Sequence, residues 1–250
     1  MSLSDAELER YARHIVLPQV GGVGQRKLKE AKVCVIGAGG IGSAVIPALA
    51  GAGVGRLTII DSDVVDLSNL HRQLLFRERD AGYSKADLAL QFVRRLNRFV
   101  KATPIQERIG PDNAGRLIAE HNLVIDGSDN FATRLAVSDA CVRHGIALVS
   151  AAGVQFQGQV GLFRAKPCYR CFVGDAFDAD DCDNCASLGV LGALTGTVGS
   201  FAALLSINAL VGIGEDQGGR LHLFEGDRLA WRTINVPPDP GCRACGSGRG

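Results

Sequence analysis

The sequence predicts an α/β protein in which a doubly wound parallel sheet continues into an antiparallel half. Three observations carry this. Apolar runs of strand length alternate with helical patterns up to about residue 150. The first buried run, Val33-Cys34-Val35-Ile36, leads into the glycine-rich turn Gly37-Ala38-Gly39-Gly40-Ile41-Gly42, which opens a helix as in Rossmann-type nucleotide binders. Beyond residue 150, segments such as Phe156 to Phe163 alternate polar and apolar residues, the habit of antiparallel strands.

Each element has its own signal. Asp5 to Leu17 has amphipathic spacing behind Ser4, a residue suited to an N-cap, and Pro18 with Gly21-Gly22 follows it. Ile41 to Ala52 is the first crossover helix, closed by Gly51 and Gly53. Arg56 to Ile60 is the second strand and ends on Asp61. Ser84 to Asn97 shows helical spacing, and a third strand is expected over Thr103 to Ile109. Leu117 to His121 reads as a helix, Leu123 to Ile125 as a strand, Phe131 to His144 as a helix and Ile146 to Ser150 as a fifth strand. Two further strands are expected at Arg220 to Phe224 and Leu229 to Val236. The uncharged stretch from Ala186 to Gly214 is long enough to span a bilayer, but it is rich in small residues, contains Asn208 and lacks a basic flank. It reads as a buried helix whose small residues admit a close neighbour, in this chain or across a subunit interface.

Composition narrows the function. Of 250 residues 46% are hydrophobic and 21% charged, so a packed core is expected, either as one large domain or as a domain with an appendage. A net charge of +1 argues against a general nucleic-acid or membrane-surface binder. Met1 to Arg10 is polar and acidic, with no secretory pattern, so a cytoplasmic location is expected. In that setting the 8 cysteines read as metal ligands or reactive thiols rather than structural disulfides. Cys34 and Cys141, within a strand and a helix, read as small core residues.

Four motifs address the chemistry. Gly37, Gly39 and Gly42 sit where backbone must turn tightly, approach a phosphate and pack on the strand, and the helix beginning near Gly40 aims its amides there. Asp61, in Asp61-Ser62-Asp63, follows at the distance of a ribose-binding acid. Asn69-Leu70-His71-Arg72-Gln73 supplies a fixed cation and two amides for phosphate oxygens, and Lys85 opens the next helix within reach. Asp126-Gly127-Ser128-Asp129-Asn130 ends a strand on a carboxylate that could hold Mg²⁺, or merely cap the helix that follows. A hydride-transfer enzyme using NAD could share the turn and Asp61, but would leave Arg72 and Lys85 without a role.

Three Cys-x-x-Cys pairs stand at Cys168/Cys171, Cys182/Cys185 and Cys242/Cys245. Their spacing is that of zinc knuckles, and spacing alone does not say which two pairs share a tetrahedral metal or whether one is a redox pair.

Taken in order, these motifs resemble the ThiF/MoeB/HesA family of ubiquitin-activating-type adenylyltransferases. The likeness runs from Arg10-Tyr11-Ala12-Arg13 to Cys242-Arg243-Ala244-Cys245-Gly246. It implies ATP and Mg²⁺ as cofactors, a homodimer, and as substrate a ubiquitin-like sulfur-carrier protein ending in Gly-Gly. The carrier would be ThiS-like or MoaD-like, serving thiamine or molybdopterin cofactor synthesis. By resemblance the turn glycines with Gly40 face the ATP phosphates, and Asp61, with Asp63 beside it, holds the ribose. Asn69, Arg72, Gln73 and Lys85 contact phosphates, Asp129, beside Asn130, handles Mg²⁺, and Arg13 enters the partner's site. His14 departs from the family's usual Gln. The resemblance also selects Cys168, Cys171, Cys242 and Cys245 as the zinc set, stapling the C-terminus to the sheet. Cys185 falls at the position of a cysteine that in some members bonds to the carrier's C-terminus, and Cys182 is an addition. The chain 1–250 would then be one domain, with a nucleotide-binding half over about 30–150 and a carrier-binding and zinc half over about 151–245. A non-catalytic zinc-stapled scaffold would not need Arg72, Lys85 and Asp129.

Overall fold

In the computed structural model, which describes residues 2–174 and 188–246, the described strands join in a single sheet. Five run parallel: β1 (Lys32–Ile36), β2 (Arg56–Ile60), β3 (Lys101–Ile105), β4 (Leu123–Asp126) and β5 (Ala147–Val154). Three more follow antiparallel: β6 (Gln157–Phe163), β7 (Arg220–Glu225) and β8 (Ala230–Asn235). The order across the sheet is β3-β2-β1-β4-β5-β6-β7-β8. The chain steps outward from β1 to β3 and then returns to lay β4 on the other side of β1. The carboxyl ends of β1 and β4 therefore flank the switch point, where open α/β sheets leave a crevice.

The helices are α1 (Asp5–Arg10), α2 (Ala12–Ile15), α3 (Gly21–Glu30), α4 (Gly42–Ala52), α5 (Lys85–Leu96), α6 (Ala114–Ile118), α7 (Phe131–His144), α8 (Tyr169–Val173) and α9 (Gly192–Val211). Alternate residues of β1 feed two cores. Val33 and Val35 join α3, α4, α5 and α9 on one face, while Cys34 and Ile36 join α6, α7 and α8 on the other. Burial pushes the Cys34 and Cys141 thiols far above the usual range, with the nearby Asp126 carboxylate adding to both, which fits inert core residues.

The small residues of α9 have a measurable use. A Cβ added at Gly199 would lie 2.6 Å from the carbonyl oxygen of Ile41, and on the facing strand β6 one at Gly158 would lie 2.3 Å from Val198 Cγ2 of the helix. Both glycines admit close crossings, of α4 and of α9 on β6. The helix is long and apolar enough to cross a membrane, yet half of its most apolar window is buried inside this fold. Ala193, Thr197, Ser200 and Leu204 remain as an exposed stripe on it.

Most sequence-derived bounds hold to within a few residues, and four differ for physical reasons. The first helix breaks at Tyr11, whose ring packs where a Cβ on Gly53 would come within 2.5 Å and whose hydroxyl accepts from Asn97 Nδ2 at 2.8 Å. The segment after Pro18 is helical as α3 despite Gly21-Gly22, because Gly24 and Leu28 are buried against the core. The third strand stops at Ile105, level with the end of its partner β2, so residues 106–109 leave the sheet rather than extending it. The next helix lies at Ala114–Ile118, earlier than expected, and His121 beyond it bonds Thr58 Oγ1 at 2.7 Å.

Candidate active site

A cleft of about 620 Å³ opens over the carboxyl ends of the parallel strands. It gathers Gly37, Gly39, Gly40, Asp61, Asp63, Asn69, Arg72, Gln73, Lys85, Asp129 and Asn130 from five separated stretches of sequence.

The turn after β1 is shaped by its glycines. Gly37 takes φ +85°, a region that L side chains rarely adopt, and a Cβ there would meet the Gly127 carbonyl oxygen at 3.2 Å. The turns after β1 and β4 thus touch through backbone. Gly42 does not line the cleft, but a Cβ at that position would lie 2.1 Å from the Gly37 carbonyl oxygen, so it closes the turn from within α4. Above Gly40 stands Thr195 of α9, with Oγ1 at 3.0 Å from a would-be Cβ. The amides of Ser43, Ala44 and Val45 at the start of α4 bond to the carbonyls of Gly39 and Ile41, so what this helix end offers the cleft is the positive end of its dipole.

Asp61 has two roles. Its Oδ2 accepts from the Ala38 amide at 2.7 Å and its Oδ1 accepts from the Asp63 amide at 2.8 Å. Burial pushes its carboxyl upward, and these two amides, with Lys85, work against that shift. Each oxygen keeps a second lone pair for a ligand hydroxyl. Lys85 is buried at the start of α5 and pairs with Asp63 at 3.2 Å. Arg72 Nη1 meets His71 Nε2 at 2.8 Å. Gln73 is 3% exposed, and its Oε1 has no protein partner among the described residues although it lines the cleft.

The cap of α7 separates Asp129 from its neighbour. Asn130 Oδ1 accepts from the Thr133 amide at 2.8 Å, so Asn130 is the capping residue and Asp129 is not. The Asp129 side chain stays exposed in the cleft.

Two predicted residues stand apart. Arg13 lies exposed on α2 and does not line this chain's cleft. Cys185, like Cys182, lies outside the described residues, whereas Gly189 and Val190 just beyond them line the cleft. Other residues in the cleft have no place in the sequence motifs: Glu107, Arg108 and Ile109 after β3, Arg134 and Thr195. The signal for Arg134 was available, as a cation inside a run of α7, Thr133 to Ser138, that is otherwise small or apolar.

Away from the cleft, Cys168, Cys171, Cys242 and Cys245 converge, with all four sulfurs within 4.8 Å of one another. Nearest separations are 3.3 Å for Cys171–Cys245 and 3.6 Å for Cys168–Cys242. Four sulfurs at about 2.3 Å from one zinc ion would stand about 3.8 Å apart, so the cluster could hold a metal. All four are free of disulfides.

Comparison with known proteins adds to this geometry. The model of the ThiF family matches residues 11–244. The SAMP-activating enzyme E1 of Haloferax volcanii is 40% identical over 249 residues, covering 99% of this chain and 92% of that protein. The sulfur carrier protein adenylyltransferase of Thermus thermophilus is 40% identical, covering 98% of this chain and 93% of that protein. The adenylyltransferase and sulfurtransferase MOCS3 of Bos taurus is 43% identical, and there the match spans only 54% of the longer protein. Among solved structures, E. coli MccB with ATP superposes with a TM-score of 0.83 at 23% identity, over 97% of this chain and 75% of that one. At that identity the superposition speaks for the fold.

Proposed function

The chain belongs to the ThiF family, and from that premise we propose that it adenylylates the C-terminal carboxylate of a ubiquitin-like sulfur-carrier protein with ATP. The observation that supports this most is the convergence of Asp129, Arg72 and Lys85 on the glycine turn in one cleft.

The chemistry suits those groups. A terminal carboxylate, with a pKa of about 3.5, is ionised at neutral pH and needs no general base. Its obstacle is repulsion from the anionic nucleotide. Arg72 and Lys85 offset phosphate charge, and the glycine turn with the positive end of the α4 dipole orients the phosphates. Asp61 holds the ribose hydroxyls while its other lone pairs keep the turn closed. The carrier's carboxylate oxygen attacks the α-phosphorus, the bond to the β-phosphate oxygen breaks, and pyrophosphate leaves with an acyl-adenylate formed. Mg²⁺ held by Asp129 would neutralise charge on the phosphates. The donor set fits such an ion: an exposed carboxylate that is not engaged as the helix cap.

The remaining assignments are part of the same reading. A carrier ending in Gly-Gly, of the ThiS or MoaD kind, presents a tail slim enough to enter the cleft, whose wall includes Gly153 and Gly189. A homodimer would bring Arg13 of one protomer toward its partner's cleft and cover the exposed stripe of α9. A structural Zn²⁺ on the four cysteines would fasten the C-terminal segment to α8, since four thiolates leave no open position for substrate. Carrier-dependent ATP–pyrophosphate exchange tests the whole. Exchange that requires an intact Gly-Gly end supports it, and nicotinamide turnover without exchange replaces it with the oxidoreductase reading.

A further inference from the structure

We propose that Arg134 is a positioning residue that presets the Asp129 carboxylate, an inference that rests on the reading of Asp129 as the metal-holding group. Arg134 sits in the first turn of α7 and is 5% exposed. Its Nη1 donates to Ser150 Oγ at 3.0 Å, and its Nη2 donates to the carbonyl oxygens of Ser128 and of Ala151, the latter at 2.9 Å. Ser150 and Ala151 belong to β5, so the guanidinium is pinned to the sheet. The amide of Ser128 donates to Asp126 Oδ1 at 2.9 Å. Ser128 is therefore gripped from both sides, by Asp126 at its amide and by Arg134 at its carbonyl. One residue later comes Asp129, and the residue after that is fixed by capping α7. A carboxylate between two immobilised neighbours needs little reorganisation to receive an ion. A guanidinium fork can reach three acceptors at once, which a lysine ammonium on a flexible stem does less well.

The test uses Arg134→Gln, Arg134→Lys and Ser150→Ala in the full chain. Two readouts are taken: calorimetric binding of ATP across a Mg²⁺ titration, and carrier-dependent pyrophosphate exchange. Arg134→Gln should raise the Mg²⁺ midpoint of ATP binding by roughly tenfold and lower kcat by about a hundredfold, while metal-free ATP binding stays near wild type. Arg134→Lys should recover part of both losses. Ser150→Ala, which removes one acceptor and keeps the guanidinium, should show a smaller shift in the same direction. The proposal is overturned if Arg134→Gln weakens ATP binding equally with and without Mg²⁺, because that marks direct contact with the nucleotide. It is also overturned if Lys fails to rescue and every loss follows the melting temperature. Should Arg134→Gln not fold, a Ser150→Ala protein with wild-type Mg²⁺ dependence overturns it alone. If the wild type shows no exchange with any carrier, the functional reading fails, while the Mg²⁺ dependence of ATP binding still decides the role of Arg134.

Discussion

The Asp61 carboxylate accepts a hydrogen bond from the Ala38 amide at 2.7 Å, so the end of β2 holds the glycine turn that follows β1. A residue read from the sequence as a ribose ligand thus also fastens the glycine turn. On the proposed function, its substitution should disturb ribose and phosphate binding together.

A pH consequence follows from the burial of Asp61. Its folded-state pKa lies above its usual value of 3.8. The folded state therefore binds this proton more tightly than the unfolded chain does. The associated stability is present below 3.8 and is lost as pH rises through the folded value. Asp61→Asn removes the titration and leaves a pH-independent offset from altered hydrogen bonding. Denaturant midpoints of wild type and mutant, measured from neutral pH downward, should diverge in favour of the wild type on acidification. A constant difference across that window would contradict the assignment.

Gly42→Ala should be damaging for a steric reason. Its Cβ would stand 2.1 Å from the Gly37 carbonyl oxygen, which is backbone and cannot swing aside. Overpacking of this kind costs about 1–3 kcal/mol and should open the turn, weakening ATP binding. Gly51 lies in the same helix with nothing among the described residues within 4 Å of a Cβ, so Gly51→Ala should be neutral or stabilising by about 0.5–1 kcal/mol. Chemical denaturation and nucleotide titration of the pair check this, and equal behaviour of the two variants would refute it.

Asp129 and Asn130 are adjacent and should separate cleanly. Asn130→Ala removes the α7 cap and should cost about 1 kcal/mol of stability. Asp129→Ala should leave stability nearly unchanged and raise the adenylation barrier by several kcal/mol. Pyrophosphate exchange at the wild-type rate in Asp129→Ala would remove that carboxylate from the mechanism.

Much of this site could be read from the sequence because it is local. A glycine turn between a strand and a helix, or an acid at a strand end, is written in contiguous residues. The pieces that escaped are brought in by topology. Glu107 and Arg108 enter the cleft because β3 ends level with β2, and Thr195 enters because α9 crosses α4 at Gly199. The α3 helix was hidden by Gly21-Gly22, whose low helix propensity is overridden by tertiary packing of Gly24 and Leu28. Spacing left three cysteine pairs equivalent; the folded chain brings the sulfurs of Cys168, Cys171, Cys242 and Cys245 together.

That cluster carries a prediction about metal. Purified protein should hold one zinc ion per chain, retained in a Cys182→Ser/Cys185→Ser variant and lost in Cys242→Ser/Cys245→Ser. Chelation should lower the melting temperature, since metal binding energy contributes to folding where the site forms only in the native state. Elemental analysis that finds zinc in the second variant and none in the first would reverse the ligand set.

Arg13 gives the sharpest test of assembly. Tyr11, two residues before it, is buried against Gly53 and bonded to Asn97, and Arg10 donates to the Leu96 carbonyl at 2.6 Å. The arm is therefore fastened to the body, while Arg13 itself is exposed and does not line its own cleft. On the dimeric reading proposed above, a cation so held serves a phosphate in a second protomer. Arg13→Ala and Asp129→Ala should each be inactive as pure proteins. Mixed and allowed to exchange subunits, they should regain up to about a quarter of wild-type activity per site, because half of the dimers are heterodimers and each has one complete site. Sedimentation or native mass measurement establishes that exchange has occurred. Recovery of activity in proportion to heterodimer content places Arg13 in the neighbouring site, whereas silent heterodimers would confine it to the surface of its own chain.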